Sequence, residues 1–320
     1  MENNLSIVVI GQLTLDDVVR FDQPTLLDSP GGCGLYALAG ACLWKTGLIG
    51  FVTRRGNDYD LESIFQNIRD RVDLRGVHQL DKPSIHIWNM FDRKGNRYFV
   101  MQRWGSFDDV MGIYPQDIPA EYRQAKAFLV DAFPLEYQTD VIRALPEEAI
   151  IAVDPHYQGV YPQFHQTWNE LLKKIDIFLP SEEEFIRFHA ISRKEELKDY
   201  MPYLKETTER GPQIVTVKLG ERGVLVYDRN ADVAWHIPAY PAKEIVDVTG
   251  CGDAFCGGFI TSYVEKKDAF EAAVRGVISA SFNLENYGVL HNFSIDHQRV
   301  YDRFVEYSAG LERKNQTIKN

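Results

Sequence analysis

Short, nearly unbroken apolar runs recur along this chain, and they restrict its fold more than any other feature. Leu5–Ile10, Leu48–Thr53, Ala127–Val130, Ala149–Val153, Ile175–Leu179, Ile214–Val217 and Val224–Tyr227 are all too short to be core helices. Strands covered on both faces by helices look like this, because neither set of side chains meets water. Between several of them lie stretches with helical spacing, including Leu35–Trp44, Glu182–His189 and Glu195–Leu204. The alternation predicts an α/β fold: a doubly wound, mostly parallel sheet flanked by helices.

One region breaks the rhythm. Ile85 and Ile87 alternate with polar positions, Asp92-Arg93-Lys94-Gly95-Asn96 supplies a turn, and Tyr98–Met101 resumes. This is a hairpin pattern. A hairpin inside a βα chain predicts a small accessory sheet, to which Val18–Phe21 would contribute. The tail from Glu312 to Asn320 is polar and expected to fray.

The chemistry is concentrated in Asp247-Val248-Thr249-Gly250-Cys251-Gly252-Asp253-Ala254-Phe255. Phe255, Phe259, Ile260 and Tyr263 follow at helical spacing, so a helix should begin near Asp253. A helix start carries unpaired N–H groups and a partial positive charge. Glycines before it let the backbone approach an anion, which makes a cradle for a phosphoryl group. A carboxylate in the first turn can point into the same space and accept a proton there. Read alone, Gly-x-Gly-Asp is equally well a capped helix start.

The longer pattern resembles the C-terminal signature of the PfkB, ribokinase-like carbohydrate kinases, Asp-x-Thr-Gly-Ala-Gly-Asp-x-Phe, with Cys251 in the Ala position. Further segments resemble the family in the same order: Gly11 with Asp16, the loop Gly31-Gly32-Cys33-Gly34, the passage Gly47–Asp58, and Lys218-Leu219-Gly220-Glu221-Arg222-Gly223. The match runs from about residue 5 to 290. It implies one ribokinase-like domain over 1–310, with lid strands at about 16–31 and 84–104 and a polar tail over 311–320. It implies Asp253 as catalytic base and the backbone of Gly250, Cys251 and Gly252 as anion hole. Asp16, Gly31, Gly32, Tyr36 and Arg103 would meet the substrate. Lys218, Gly220, Gly223 and Ser181 would meet ATP, and Glu184 would act on Mg²⁺ through water. Asp247 and Thr249 resemble a loop for a monovalent cation such as K⁺. Trp88, Phe91 and Trp104 could stack on a sugar or a base.

Three positions depart from the family pattern. Tyr36 stands where an Asn commonly binds sugar hydroxyls. Ser181 replaces the Asn of Asn-x-x-Glu, and Asp154-Pro155-His156-Tyr157-Gln158 lacks the usual Arg. The expected activity is therefore ATP-dependent phosphorylation of a hydroxyl on a sugar or sugar acid. A nucleoside kinase and a non-catalytic binding protein on the same scaffold are its rivals. The net charge of −11 opposes a nucleic-acid partner and requires local compensation wherever a phosphate binds. No apolar stretch is long enough to span a membrane, and Met1–Ser6 lacks the basic start of a signal peptide. Cys33, Cys42, Cys251 and Cys256 have no zinc spacing, so reduced thiols and a cytoplasmic location are expected. An exposed apolar face on the lid would favour a homodimer through it.

Overall fold

The computed structural model describes residues 5–21, 24–93, 97–101, 112–313 and 316–318. Its main sheet has nine strands in the order β13-β12-β11-β10-β9-β8-β1-β4-β5. These are β1 (Ile7–Ile10), β4 (Ile49–Arg55), β5 (Val72–Gln79), β8 (Ala127–Val130), β9 (Ile150–Val153), β10 (Ile177–Phe178), β11 (Ile214–Lys218), β12 (Val224–Asp228) and β13 (Val233–Ile237). From β5 to β11 all neighbours pair in parallel, and β12 and β13 turn back antiparallel.

The apolar runs are explained by burial on both faces. Along β1, Ile7 and Val9 join one core cluster, while Val8 and Ile10 join the other. Period-two alternation sends successive side chains to opposite layers, so every position must be apolar. On the Ile7 side lie the helices Cys33–Cys42, Cys251–Lys266 and Ala269–Asn283. The first two cross at small residues. A Cβ on Gly40 would lie 2.1 Å from the Ala254 carbonyl oxygen, and one on Gly257 would lie 1.9 Å from that of Ala37. This contact fixes the Cys251 helix, and with it the glycine loop at its N-terminus.

β1 is flanked by β4 on one side and β8 on the other, so the connections reverse direction at β1. In open α/β sheets a crevice opens at such a switch point, beyond the carboxyl ends of the strands. Over it, among the described residues, stands a separate sheet of four strands, β3-β2-β6-β7: β2 (Thr14–Val19), β3 (Leu26–Gly31), β6 (His86–Phe91) and β7 (Arg97–Met101). The β6–β7 hairpin is the one read from sequence.

Several expectations need correction. The strand placed at Val18–Phe21 runs earlier, as β2. The segment Glu195–Leu204 begins as a 3₁₀ turn at Leu197–Tyr200 and becomes α-helical only at Met201–Glu209. The tail is not simply frayed: His236 N–H donates to Gln316 O, and Ile318 N–H to Ala234 O, each at 2.8 Å. Strands β5 and β13 were not anticipated; β5 mixes polar and apolar residues, as edge strands often do. All four cysteines are free, and no helix among the described residues is long and apolar enough to cross a membrane.

Candidate active site

The loop Asp247–Gly250 enters the Cys251–Lys266 helix through Gly250, whose φ is +72°. An L side chain strains at that angle, and here it would also collide: its Cβ would lie 2.1 Å from the Tyr36 ring. Tyr36 is buried and supports the glycine loop from beneath. Its phenol is held well above its usual pKa, first by burial and then by the charges of Asp16, Asp247 and Asp253. It therefore stays neutral. Of the three backbone groups expected to bind an anion, the Cys251 N–H turns back to Val248 O at 3.3 Å. Asn283 braces the loop, donating from Nδ2 to Thr249 O at 2.5 Å, and accepts in turn from Asn292.

Asp253 sits half-buried in the first turn of the helix. Its carboxylate, that of Asp131 and that of Asp154 each present an oxygen within 4.8 Å of the others. Asp131 and Asp154 directly follow β8 and β9, so adjacent parallel strands deliver them to the crevice. Like charges this close cannot all ionise at neutral pH. Asp131 is fully buried, and its pKa is pushed well up, first by burial and then by Asp253 and Asp154. Asp154 is raised to about 6 by burial, while the Lys218 ammonium beside it opposes the rise. Lys218 Nζ donates to Asp154 Oδ2 and lies 3.6 Å from where a Cβ on Gly252 would stand. Lys218 is thus ion-paired at the edge of the glycine loop.

Two cavities meet here. One, of about 500 Å³, is lined by Gln12, Asp16, Gly32, Tyr36, Thr249 and Asp253, and it extends under the small sheet to Ile87, Asn89, Phe99 and Met101. Thr14 Oγ1 donates to Asp16 Oδ1 at 2.7 Å. Gly31 lies directly against the Asp16 carboxylate, 2.4 Å from Oδ2 to where a Cβ would be. The other cavity, of about 400 Å³, is lined by Ser181, Glu184, Lys218, Gly220, Gly223 and the Val277–Leu284 region. Ala132, Gly250 and Asp253 belong to both walls.

The structure separates residues that were adjacent in the sequence reading. Asp16 faces the first cavity. Asp17 is buried on the other side, where Oδ2 accepts from Trp88 Nε1 at 2.7 Å. Trp88 is committed to that bond and does not line either cavity. Phe91 packs on Arg20 rather than on a ligand space. Arg103 and Trp104 lie outside the described residues. Ser181 and Glu184 line the second cavity, but their side chains also cap the helix Glu182–Phe188. Ser181 N–H donates to Glu184 Oε2 at 2.7 Å, and Glu184 N–H to Ser181 Oγ at 3.3 Å.

Sequence reasoning missed Asp131 altogether and gave His156 no role. The first had a signal, a carboxylate immediately after an apolar run. His156 had none. It lines the first cavity against Tyr157, with ring centroids 4.6 Å apart, and burial lowers its pKa to about 4. Its imidazole is neutral at pH 7.

Glu184 yields a test. Its pKa is raised to about 7, mainly by burial and then by the charge of Asp154. The folded chain therefore holds a proton there that the unfolded chain has lost. The stability from this group is complete below its ordinary pKa of 4.5 and disappears as pH rises through about 7. Glu184→Gln keeps an acceptor for Ser181 N–H and removes the titration. Its thermal midpoint should fall less than the parent's between roughly pH 5 and pH 8. Equal falls would show that Glu184 is ionised throughout.

Comparison with known proteins places this geometry among relatives. The family described as pfkB family carbohydrate kinase matches residues 5–295. The cytidine kinase of Thermococcus kodakarensis is 30% identical over 287 residues, covering 89% of this chain and 98% of that protein. An E. coli structure described as a ribokinase II, in complex with ATP and Mg²⁺, superposes with a TM-score of 0.75 at 20% identity, covering 94% and 99% of the two chains. The nucleoside kinase of Methanocaldococcus jannaschii gives 0.74 at 18% identity, covering 95% and 99%.

Proposed function

Since the chain belongs to the pfkB family of carbohydrate kinases, we propose that it transfers the γ-phosphoryl group of ATP to a hydroxyl of a sugar-containing small molecule, with Asp253 as the base. The observation that carries this reading is the junction of the two cavities at Gly250 and Asp253. ATP lies in the cavity of Gly220 and Gly223, and the acceptor lies beside Asp16, beneath the small sheet acting as a lid. The reacting oxygen and the phosphorus then meet beside Gly250 and Asp253, which with Ala132 belong to both walls.

Each side chain has a defined task. Asp253 takes the hydroxyl proton as the O–P bond forms. Burial and its two carboxylate neighbours shift Asp131 toward its neutral form, which leaves Asp253 as the member of the pair better able to accept it. The helix N-terminus and the Lys218 ammonium oppose the negative charge of the transferring group. The wall of Asp154 and Glu184 suits hydrated Mg²⁺, because Asp154 Oδ1 is buried without a hydrogen-bond partner. When bound, Mg²⁺ supplies charge neutralisation at the phosphates. The lid excludes water, which would otherwise compete as acceptor.

A second observation bears on the acceptor. Beyond Asp16 the cavity wall turns apolar and aromatic, with Ile87, Phe99, Met101 and Tyr157. The aromatic and apolar lining favours a nucleoside, whose base fills the outer part. The relative from T. kodakarensis points the same way. ATP consumption across sugars, sugar acids and nucleosides tests both levels. Nucleosides are expected to exceed free sugars in kcat/KM by about tenfold or more, the value of one buried apolar contact. A free sugar turned over best would overturn the nucleoside reading. Saturable ATP binding with no turnover of any class would overturn the kinase reading.

A further inference from the structure

The buried carboxylate beside the glycine loop is neutralised by an arginine from the small sheet. Asp247 is 1% exposed. Its Oδ1 accepts from Arg20 Nη2 at 2.6 Å and from Thr249 N–H at 3.0 Å. Arg20 follows directly on β2. Its guanidinium lies 4.6 Å from the ring centroid of Phe91, at the end of β6, and 5.0 Å from that of Tyr287. One side chain thus touches the small sheet, the segment after the Ala269–Asn283 helix, and the loop that leads to Gly250. The aromatic faces favour a cation between them.

The family resemblance implied a monovalent cation at Asp247 and Thr249, and the structure disagrees with it. A guanidinium already stands at Asp247 Oδ1 and supplies the positive charge that such an ion would bring to the carboxylate. We propose that Arg20 is the built-in counter-ion of this loop and takes the place of a soluble monovalent cation. It is a positioning residue. By holding Asp247 it fixes the loop that presents the helix N-terminus, and it ties the seating of the small sheet to the shape of that loop. Without it, a negative charge would remain buried close to where a phosphoryl group is to bind, and would repel it. The role in phosphoryl transfer rests on the kinase reading above; the ion pair and its response to cations do not.

Removing Arg20 should create a cation site. Asp247 Oδ2 and Thr249 Oγ1 are buried and have no hydrogen-bond partner, so both are available to an ion once the guanidinium is gone. The experiment compares the full chain with Arg20→Ala in KCl, NaCl and choline chloride at equal ionic strength. It reads the thermal midpoint, the Kd for ATP, and turnover. The parent is expected to vary by less than about twofold in Kd and turnover among the three salts. Arg20→Ala is expected to lose about tenfold in kcat and to bind ATP more weakly, as for a charge pair broken in a buried site. KCl should raise its midpoint and recover part of both losses, and choline should not.

A parent that needs KCl for stability or for turnover would overturn the inference. So would an Arg20→Ala variant indistinguishable from the parent in all three readouts. If Arg20→Ala does not fold, the double variant Arg20→Ala with Asp247→Asn decides. Having no buried charge, it should fold again and ignore KCl, and failure to fold would count against the pairing. Cation-rescued stability in a chain that turns over no substrate would retain this inference and remove the kinase reading.

Discussion

Asp253→Asn should abolish turnover while leaving the protein folded and both ligands bound. A positioned general base contributes about 10²–10⁴-fold, and here the same group stands at the junction of both cavities, so a loss near the upper end is expected. Asn matches Asp in shape but cannot accept a proton. The substitution removes one favourable charge from the first turn of the Cys251–Lys266 helix, worth about 0.5 kcal/mol. It also relieves repulsion, because Asp253 raises the pKa values of Asp131 and Asp154. The two effects oppose each other, so the thermal midpoint should scarcely move. The checks are kcat, the Kd for ATP and a melting curve. Retention of more than about a tenth of parental kcat would remove Asp253 from its role.

Lys218→Met should have the largest effect on stability. Lys218 and Asp154 have side-chain exposures of 13% and 3%, and breaking a buried pair by removing one partner costs about 3–5 kcal/mol. The pH dependence identifies the cause. Asp154 already has a pKa raised to about 6 with its partner present; without the ammonium the value must rise further. A carboxyl with a raised folded pKa stabilises below its unfolded pKa and loses that contribution as pH rises through the folded one. The destabilisation should therefore be severe near pH 8 and much smaller near pH 5. Denaturant melts at the two pH values check this, and an equal deficit at both would mean that Met fails by shape instead of charge. Met should also weaken ATP binding, since Lys218 lies beside Gly252 in the wall of the second cavity.

Some of this architecture was legible because its causes are local. A strand buried on both faces must be continuously apolar, so β1, β8 and β9 announced themselves. A helix start that receives an anion needs glycines and a carboxylate within a few residues, so Gly250–Asp253 stood out. The β6–β7 hairpin carries its own turn. What could not be read depends on strand order. Asp131 and Asp154 are far from Asp253 in sequence, and only the parallel pairing of β8 and β9 at the switch point brings them together. Arg20 and Asp247 are separated by most of the chain. Trp88 was misjudged because alternation along β6 fixes only that neighbours face opposite ways, not which of them faces the ligand. Ile87 and Asn89 point inward, and Trp88 points out to Asp17.

The short C-terminal segment also has a consequence for the behaviour of the protein in solution. β13 ends the sheet, and a bare edge strand offers its unpaired peptide groups to any other chain in an extended conformation. Residues 316–318 pair with those groups, and the isolated bridge between Trp235 and Thr317 lies at their centre. The segment thus occupies peptide groups along β13 that another extended chain would otherwise pair with.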